Sequence, residues 1–225
     1  MALIEETAAS PEPVQPGPRD AFALDVERYR AIALGGAPTL QARLRLWALN
    51  RDFRCVACFR FGQAAREAYA CSRSRGLPLM LAATLWRRRV ARIDNALIDP
   101  SARIGPGFYL VHAHGVFLGP VSIGDNCVLH QNVTIGQRVS AGDHGVPTLG
   151  DNVWVGPGAT LTGDIRVGDN VTISAGTVLS KSVPDGSLVA GNPGRVVAAH
   201  YDSRPMLNYT LSKERIAEGR RHDSG

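Results

Sequence analysis

Cysteine is scarce in this chain: four residues in 225. Cys55, Cys58, Cys71 and Cys127 are too few and too irregularly spaced for a disulfide framework. Cys55-Val-Ala-Cys58 is a lone CxxC. It has no second pair to complete a zinc site and lies in a helical pattern instead of after a strand, so buried free thiols are expected. Long apolar runs are also lacking, which excludes a membrane-spanning helix. The N-terminus has no signal-peptide layout, with Glu5 and Glu6 early and no apolar core behind them. The expected compartment is the cytoplasm, with no membrane partner. Charge of one sign is modest, with a formal net of +5. Arg87, Arg88, Arg89 and Arg92 cluster, but no aromatic residues interleave with them. They read as a solvated helix face, not a nucleic-acid surface.

What is present is a soluble globular composition, 44% hydrophobic, in a chain long enough for one sizeable domain or two small ones. Residues 1–19 are rich in Pro, Ala and Glu and are expected to be a disordered leader. Residues 20–92 carry apolar spacings of three and four. Phe22, Leu24, Val26, Tyr29 and Ile32 open a helix that Gly35-Gly36 stops. Leu40, Leu44 and Trp47 belong to another, and Phe53, Val56, Ala57, Phe61 and Ala65 to a third. Gly76-Leu77-Pro78 reads as a break before a final helix from Leu79 to Val90.

From residue 93 the helical signal ends and a six-residue period begins. Its first run is Ile98, Ile104, Leu110 and Val116, followed by Ile123, Leu129 and Ile135. The longest run is Leu149, Val155, Leu161, Val167, Ile173 and Leu179. Four residues after most of these comes a small or β-branched residue, among them Ala102, Cys127, Val133, Val153, Ala159, Ile165, Val171 and Thr177. Gly-Asp-Asn recurs at 124–126, 150–152 and 168–170, and Gly and Asn tolerate positive φ. Each unit is therefore a short strand and a tight turn, with two inward positions filling a narrow prism that only stacking can bury. The period breaks twice, between Val116 and Ile123 and between Ile135 and Leu149. The second break holds His144. An insertion in a rigid coil is a natural place for function. Residues 93–199 form the expected repeat domain, and residues 200–225 a polar tail with one short helix around Leu211 to Arg220 and a loose end.

Several segments together resemble the hexapeptide-repeat acyltransferases, and among them the serine O-acetyltransferase group with its polysaccharide-cluster relatives. They are Phe53-Arg54 and Phe59-Arg60, the run from Ile98 to Gly105, Leu110-Val111-His112-Ala113-His114-Gly115-Val116, Val133-Thr134-Ile135-Gly136, and the closing Gly191-Asn192-Pro193. The resemblance covers roughly residues 45–200. It implies a mainly β fold, a left-handed parallel β-helix preceded by a small α-helical region. It also implies a homotrimer, with a dimer of trimers left open, and acetyl-CoA as co-substrate with no resident metal. His112 matches the family's catalytic histidine. A histidine suits the base that takes a proton from an attacking hydroxyl, because its pKa lies near neutral. Gly156, Pro157 and Ala175 match the cofactor wall, and Lys181 and Arg195 are candidate partners for the CoA phosphates. His114 and His144 are candidate contacts to the acceptor.

The chain also departs from the serine enzymes. The carboxylates that accompany their histidine fall here at Leu97 and Val111, which leaves Asp99 as the candidate partner of His112. Their Arg-His pair before a proline falls at Gly145 and Val146. The acceptor is therefore a small hydroxylated molecule, either a serine-like amino acid or a sugar. Two other readings stand beside this one. His112, His114 and His130 on such a prism would suit a γ-type carbonic anhydrase-like zinc site, and a prism without chemistry would serve as a trimeric scaffold.

Overall fold

The computed structural model describes residues 17–35, 39–138 and 145–222. Helices precede the prism: α1 (Pro18–Leu34), α2 (Leu40–Leu49), α3 (Arg51–Cys71) and α4 (Arg73–Asp94). Pro18 opens α1, where its missing N–H costs nothing, and Gly35 closes it at φ 59°. Asn50 caps α3 by accepting the Phe53 N–H at 2.8 Å.

The break expected at Gly76-Leu77-Pro78 is not there. The chain turns at Ser72, and Pro78 lies inside α4 beyond its first turn, where it removes the amide that would donate to the Ser74 carbonyl without ending the helix. Gly76 serves packing instead of a turn: a Cβ there would lie 2.1 Å from the Tyr69 Cα. Its absence lets α3 and α4 meet closely.

The repeats form three sheets, the faces of a prism. The first face holds β1 (Leu97–Ile98), β4 (Phe117–Leu118), β7 (Thr134–Gly136), β10 (Thr160–Thr162) and β13 (Val178–Leu179). The second holds β2 (Arg103–Ile104), β5 (Ser122–Ile123), β8 (Thr148–Leu149) and β11 (Arg166–Val167). The third holds β3 (Tyr109–Leu110), β6 (Val128–Leu129), β9 (Trp154–Val155), β12 (Thr172–Ile173), β14 (Leu188–Ala190) and β15 (Arg195–Ala198). All pairings are parallel except that of β14 with β15, which closes the stack.

The register puts the aliphatic residues in columns. Ile98, Leu118, Ile135, Leu161 and Leu179 stack on the first face. Ile104, Ile123, Leu149 and Val167 stack on the second. Leu110, Leu129, Val155, Ile173 and Val189 stack on the third. Leu118, not Val116, holds the column position in its coil. The extra residues thus fall between Leu110 and Phe117, around His112. Each such side chain contributes about 1.5–3 kcal/mol by burial. The second inward set, from Ala102 to Thr177, is buried as well.

The Gly-Asp-Asn turns have a joint cause. The Asp151 carboxylate accepts the Asp125 N–H, Asp169 that of Asp151 and Asp185 that of Asp169, at 2.8–2.9 Å. The preceding glycine is where the next coil's carboxylate fits: a Cβ at Gly150 would lie 2.1 Å from Asp169 Oδ1. The asparagine takes the left-handed turn, as at Asn126, Asn152 and Asn170.

The helices dock on the first coil through buried charge. Arg60 Nε donates to Asp25 Oδ2 at 2.8 Å, and its terminal nitrogens to the Ile104 and Gly105 carbonyls at 2.7 Å. Asp25 accepts the Phe108 N–H at 2.9 Å. Burial raises the Asp25 carboxyl above its usual range, although Arg60 pulls it back. Arg28 donates to the carbonyls of Gly107, Leu207 and Tyr209.

The expected C-terminal helix is present and docked, and the end expected to be loose, residues 223–225, lies outside the described residues. After α5 (Arg204–Leu207), α6 (Lys213–His222) returns to α1. Arg215 pairs with Glu27 at 2.9 Å, and Leu211 and Ile216 pack on Leu24. No helix among the described residues is long and apolar enough to cross a membrane.

Candidate functional site

The corner between the third and first faces gathers most of the expected site. The first four strands of the third face each deliver one turn to it. β3 delivers His112, Ala113 and His114; β6 delivers His130, Gln131 and Asn132; β9 delivers Gly156, Pro157 and Gly158; β12 delivers Ser174, Ala175 and Gly176. Hydrogen bonds between coils make this one continuous edge. Asn132 N–H donates to the His114 carbonyl at 2.8 Å, Gly158 to Gln131 at 3.0 Å and Gly176 to Pro157 at 2.9 Å.

His112 is exposed and sits at φ 53°, in the left-handed region. That conformation is uncommon for a residue with a Cβ, although histidine tolerates it better than most. It is held from outside the prism. Asp52, on the first turn of α3, accepts the His112 N–H at 3.0 Å through one carboxylate oxygen. It accepts the Ala113 N–H at 2.7 Å through the other. Charge-assisted bonds of this kind are the stronger ones. The turn that carries His112 is therefore pinned by a helix, and its imidazole remains open to solvent.

His130 comes from the next coil. Its ring meets Trp154 edge-on, with centroids 4.8 Å apart. Burial lowers its pKa, and His112 nearby lowers it further, while a bond with Gln131 works in the opposite direction. Burial and the neighbouring imidazole thus disfavour the charged form of His130.

The later coils offer a smooth wall. Gly158 and Gly176 take φ 71° and 68°, which a residue with a Cβ would adopt only under strain. Both are exposed, as is Ala175, and Pro157 is half-buried. Gly156 is buried, and a Cβ on it would lie 2.7 Å from the Ala175 nitrogen.

Other expected residues lie elsewhere. Lys181 follows β13 at the corner between the first and second faces, exposed; Arg195 is exposed on β15. His114 is exposed beside His112. His144 lies outside the described residues. The expectation that Asp99 partners His112 does not hold within one chain. Asp99 follows β1 at the corner between the first and second faces. Its Oδ1 accepts both the Ser101 N–H at 2.8 Å and the Ser101 hydroxyl at 2.5 Å. Those bonds are what depress its carboxyl against a burial that works in the opposite direction. Asp52 is the carboxylate at His112, and sequence reasoning missed it. An acidic residue in the first turn of a helix is already explained by the helix dipole, so nothing marked it. Among the described residues, no group of three or more His, Cys, Asp or Glu side chains is placed to hold a metal ion.

Comparison with known proteins agrees with this architecture. The six-repeat family "bacterial transferase hexapeptide" matches residues 147–181, and the "hexapeptide repeat of succinyl-transferase" family matches 115–137 and 120–163. A probable serine acetyltransferase 1 from Oryza sativa subsp. japonica is 36% identical over 180 residues, covering 73% of this chain and 58% of the relative. Soybean serine acetyltransferase complexed with serine superposes with a TM-score of 0.65 at 28% identity, over 80% of this chain and 70% of that one. The Brucella abortus serine acetyltransferase in complex with coenzyme A gives 0.64 at 25% identity, over 80% and 68%. The chain spans about half the length of the curated relatives it matches. It is similar to the hexapeptide-repeat serine O-acetyltransferases, and its fold is a left-handed parallel β-helix preceded by helices.

Proposed function

We propose that the chain is an acetyl-CoA-dependent O-acetyltransferase acting on the hydroxyl of a small acceptor, with His112 as general base. The observation that carries this reading is His112 itself, exposed at a prism corner and pinned through its backbone by Asp52. The same corner continues into Pro157 and Ala175, where the resemblance places the cofactor. Support comes also from the names of the relatives, which are serine acetyltransferases, one complexed with serine and one with coenzyme A.

In the reaction, the His112 imidazole takes the acceptor's hydroxyl proton as the oxygen attacks the thioester carbonyl. The tetrahedral oxyanion collapses, the carbon–sulfur bond breaks and the departing sulfur receives the proton from the imidazolium. Transfer is direct, with no acyl-enzyme. His130 sits beside the base with its charged form disfavoured by burial, which limits the repulsion the imidazolium would meet. Asp52 is a positioning residue, because it touches the backbone of the base and not the reacting atoms.

The working unit is a homotrimer. His112 occupies one corner of the prism. The insertion between β7 and β8 leaves from the first-to-second corner, where Lys181 also lies. Residues at different corners of one prism meet a common ligand only across a junction between chains. The cytoplasm suits a chain whose four cysteines are free thiols.

Serine is the acceptor that the relatives favour. Leu97, Val111, Gly145 and Val146, where the serine enzymes carry charged or imidazole groups, favour a sugar hydroxyl instead. A thiol-release assay with acetyl-CoA and serine, homoserine and sugar acceptors separates the two. His112→Ala is expected to lose about 10²–10⁴-fold in kcat. Asp52→Asn is expected to lower kcat while leaving the KM for acetyl-CoA unchanged. Full turnover by a folded His112→Ala variant would overturn the assignment of the base.

A further inference from the structure

The geometry points to a second ligand site, away from the corner, for an anionic amphiphile: an apolar tail ending in one carboxylate-type head. A cavity of about 220 Å³ lies between α3, α4 and the first coil of the prism. It exceeds the roughly 150 Å³ of engineered apolar cavities that stay dry and bind benzene. None of the corner residues lines it, and the inference does not rest on acetyl transfer.

The walls are apolar. Cys55 and Cys58 line it from α3, Met80 and Val90 from α4, and Ile98 from β1. The two thiols of the CxxC are buried, and burial pushes both up to about 12. They stay protonated at neutral pH and behave as small apolar groups. The Thr84 hydroxyl is committed to the Met80 carbonyl at 2.8 Å. The interior therefore offers a ligand no free donor beyond the weak S–H groups of the two thiols.

Polar recognition is confined to the mouth. Arg66 and Arg87 are the lining residues that are exposed, one on each helix. Neither makes an ion pair among the described residues. The carboxylate that feels both is Asp99, whose Oδ1 is occupied by Ser101. Two guanidinium groups over an apolar cavity match a ligand with one anionic end.

Gly62 keeps the space open. It lies inside α3, where a glycine costs about 1 kcal/mol relative to alanine, and a Cβ built on it meets nothing within 4 Å. A side chain there would enter the cavity without a clash.

Octanoate and octanol serve as probes, titrated calorimetrically into the full chain. Octanoate is expected to bind once per chain, and octanol about tenfold more weakly, the effect of two exposed ion pairs together. Gly62→Leu should abolish octanoate binding with an unchanged or raised Tm. The double variant Arg66→Gln, Arg87→Gln should reduce octanoate to the affinity of octanol. Three results would each overturn the site: no octanoate binding to the parent, equal affinity for the two probes in the parent, or undiminished octanoate binding by a folded Gly62→Leu variant.

Discussion

The prism and the joint between helices and prism are held by contacts of different kinds. In the prism one contact recurs: a glycine leaves room, a carboxylate from the next coil fills it and accepts an amide, and an asparagine turns the chain. Asp151, Asp169 and Asp185 all do this. In the joint nothing recurs. Asp25, Arg28 and Arg60 are each used once, fully or almost fully buried, and each reaches into the first coil or the C-terminal segment. A periodic element spreads its stability over many similar contacts, whereas a joint concentrates it in a few charged ones. The two should fail differently.

Asp25→Ala tests the concentrated side and should be the most damaging. It strands the Arg60 guanidinium and the Phe108 N–H in the interior, at a cost of about 3–5 kcal/mol. Urea denaturation measures this. A loss below about 1 kcal/mol would erase the contrast.

Asp125 lies where the two regions meet. It begins the carboxylate ladder and also receives Arg220 from α6 at 2.8 Å. Burial pushes its carboxyl up to about 6, Asp151 adds to this and Arg220 opposes it. Unfolded, the group titrates near 3.8, so the folded chain holds the proton more tightly. Acidification from pH 6 towards 4 therefore favours the folded state at this site. Above pH 6 the buried charge costs on the order of 2–3 kcal/mol. As pH falls from 7 to 4, the stability difference between the parent and Asp125→Asn should move by that amount in favour of the parent. Parallel profiles of Tm against pH would contradict it.

The smallest effect is expected deep in the periodic part. Asn170→Ala retains a left-handed turn at φ 56° without the residue that tolerates it, and loses the bond from Asn152. The cost should be about 1 kcal/mol. If it matched that of Asp25→Ala, the ladder would have to be read as cooperative, not as a sum of independent turns.

The same contrast explains what could be read from the sequence. A six-residue period states its own geometry, so the columns from Leu149 to Leu179 and the second inward set were legible. Misreadings came where one residue has two uses. Val116 fits the period by type, yet Leu118 occupies the column, because the turn around His112 takes extra residues. Gly76 and Pro78 look like a break, yet one permits close packing with Tyr69 and the other is carried inside α4. The roles of Asp25, Arg28 and Arg60 were not legible, since nothing in a helical pattern marks a charge that will be buried by a distant coil. The position of His112 on a turn of the prism was legible because its motif is local. Asp52 was not, because its partner lies sixty residues away along the chain. Asp99 looked suitable only because it is close to the expected position in sequence; the prism sends it to another corner.

The corner that carries His112 also works as a ruler. Neighbouring strands lie about 4.8 Å apart, so the three steps from the His112 coil to the Ala175 coil measure roughly 14 Å along the prism. That length is counted in coils and is indifferent to the side chains within them. Removing residues 155–172, one whole coil, would join Trp154 to Ile173 and leave every column intact, but shorten the ruler by one division. Removing a single residue would leave its length alone and turn an inward set of side chains outward. Distance and stability are thus written in different units on the same edge.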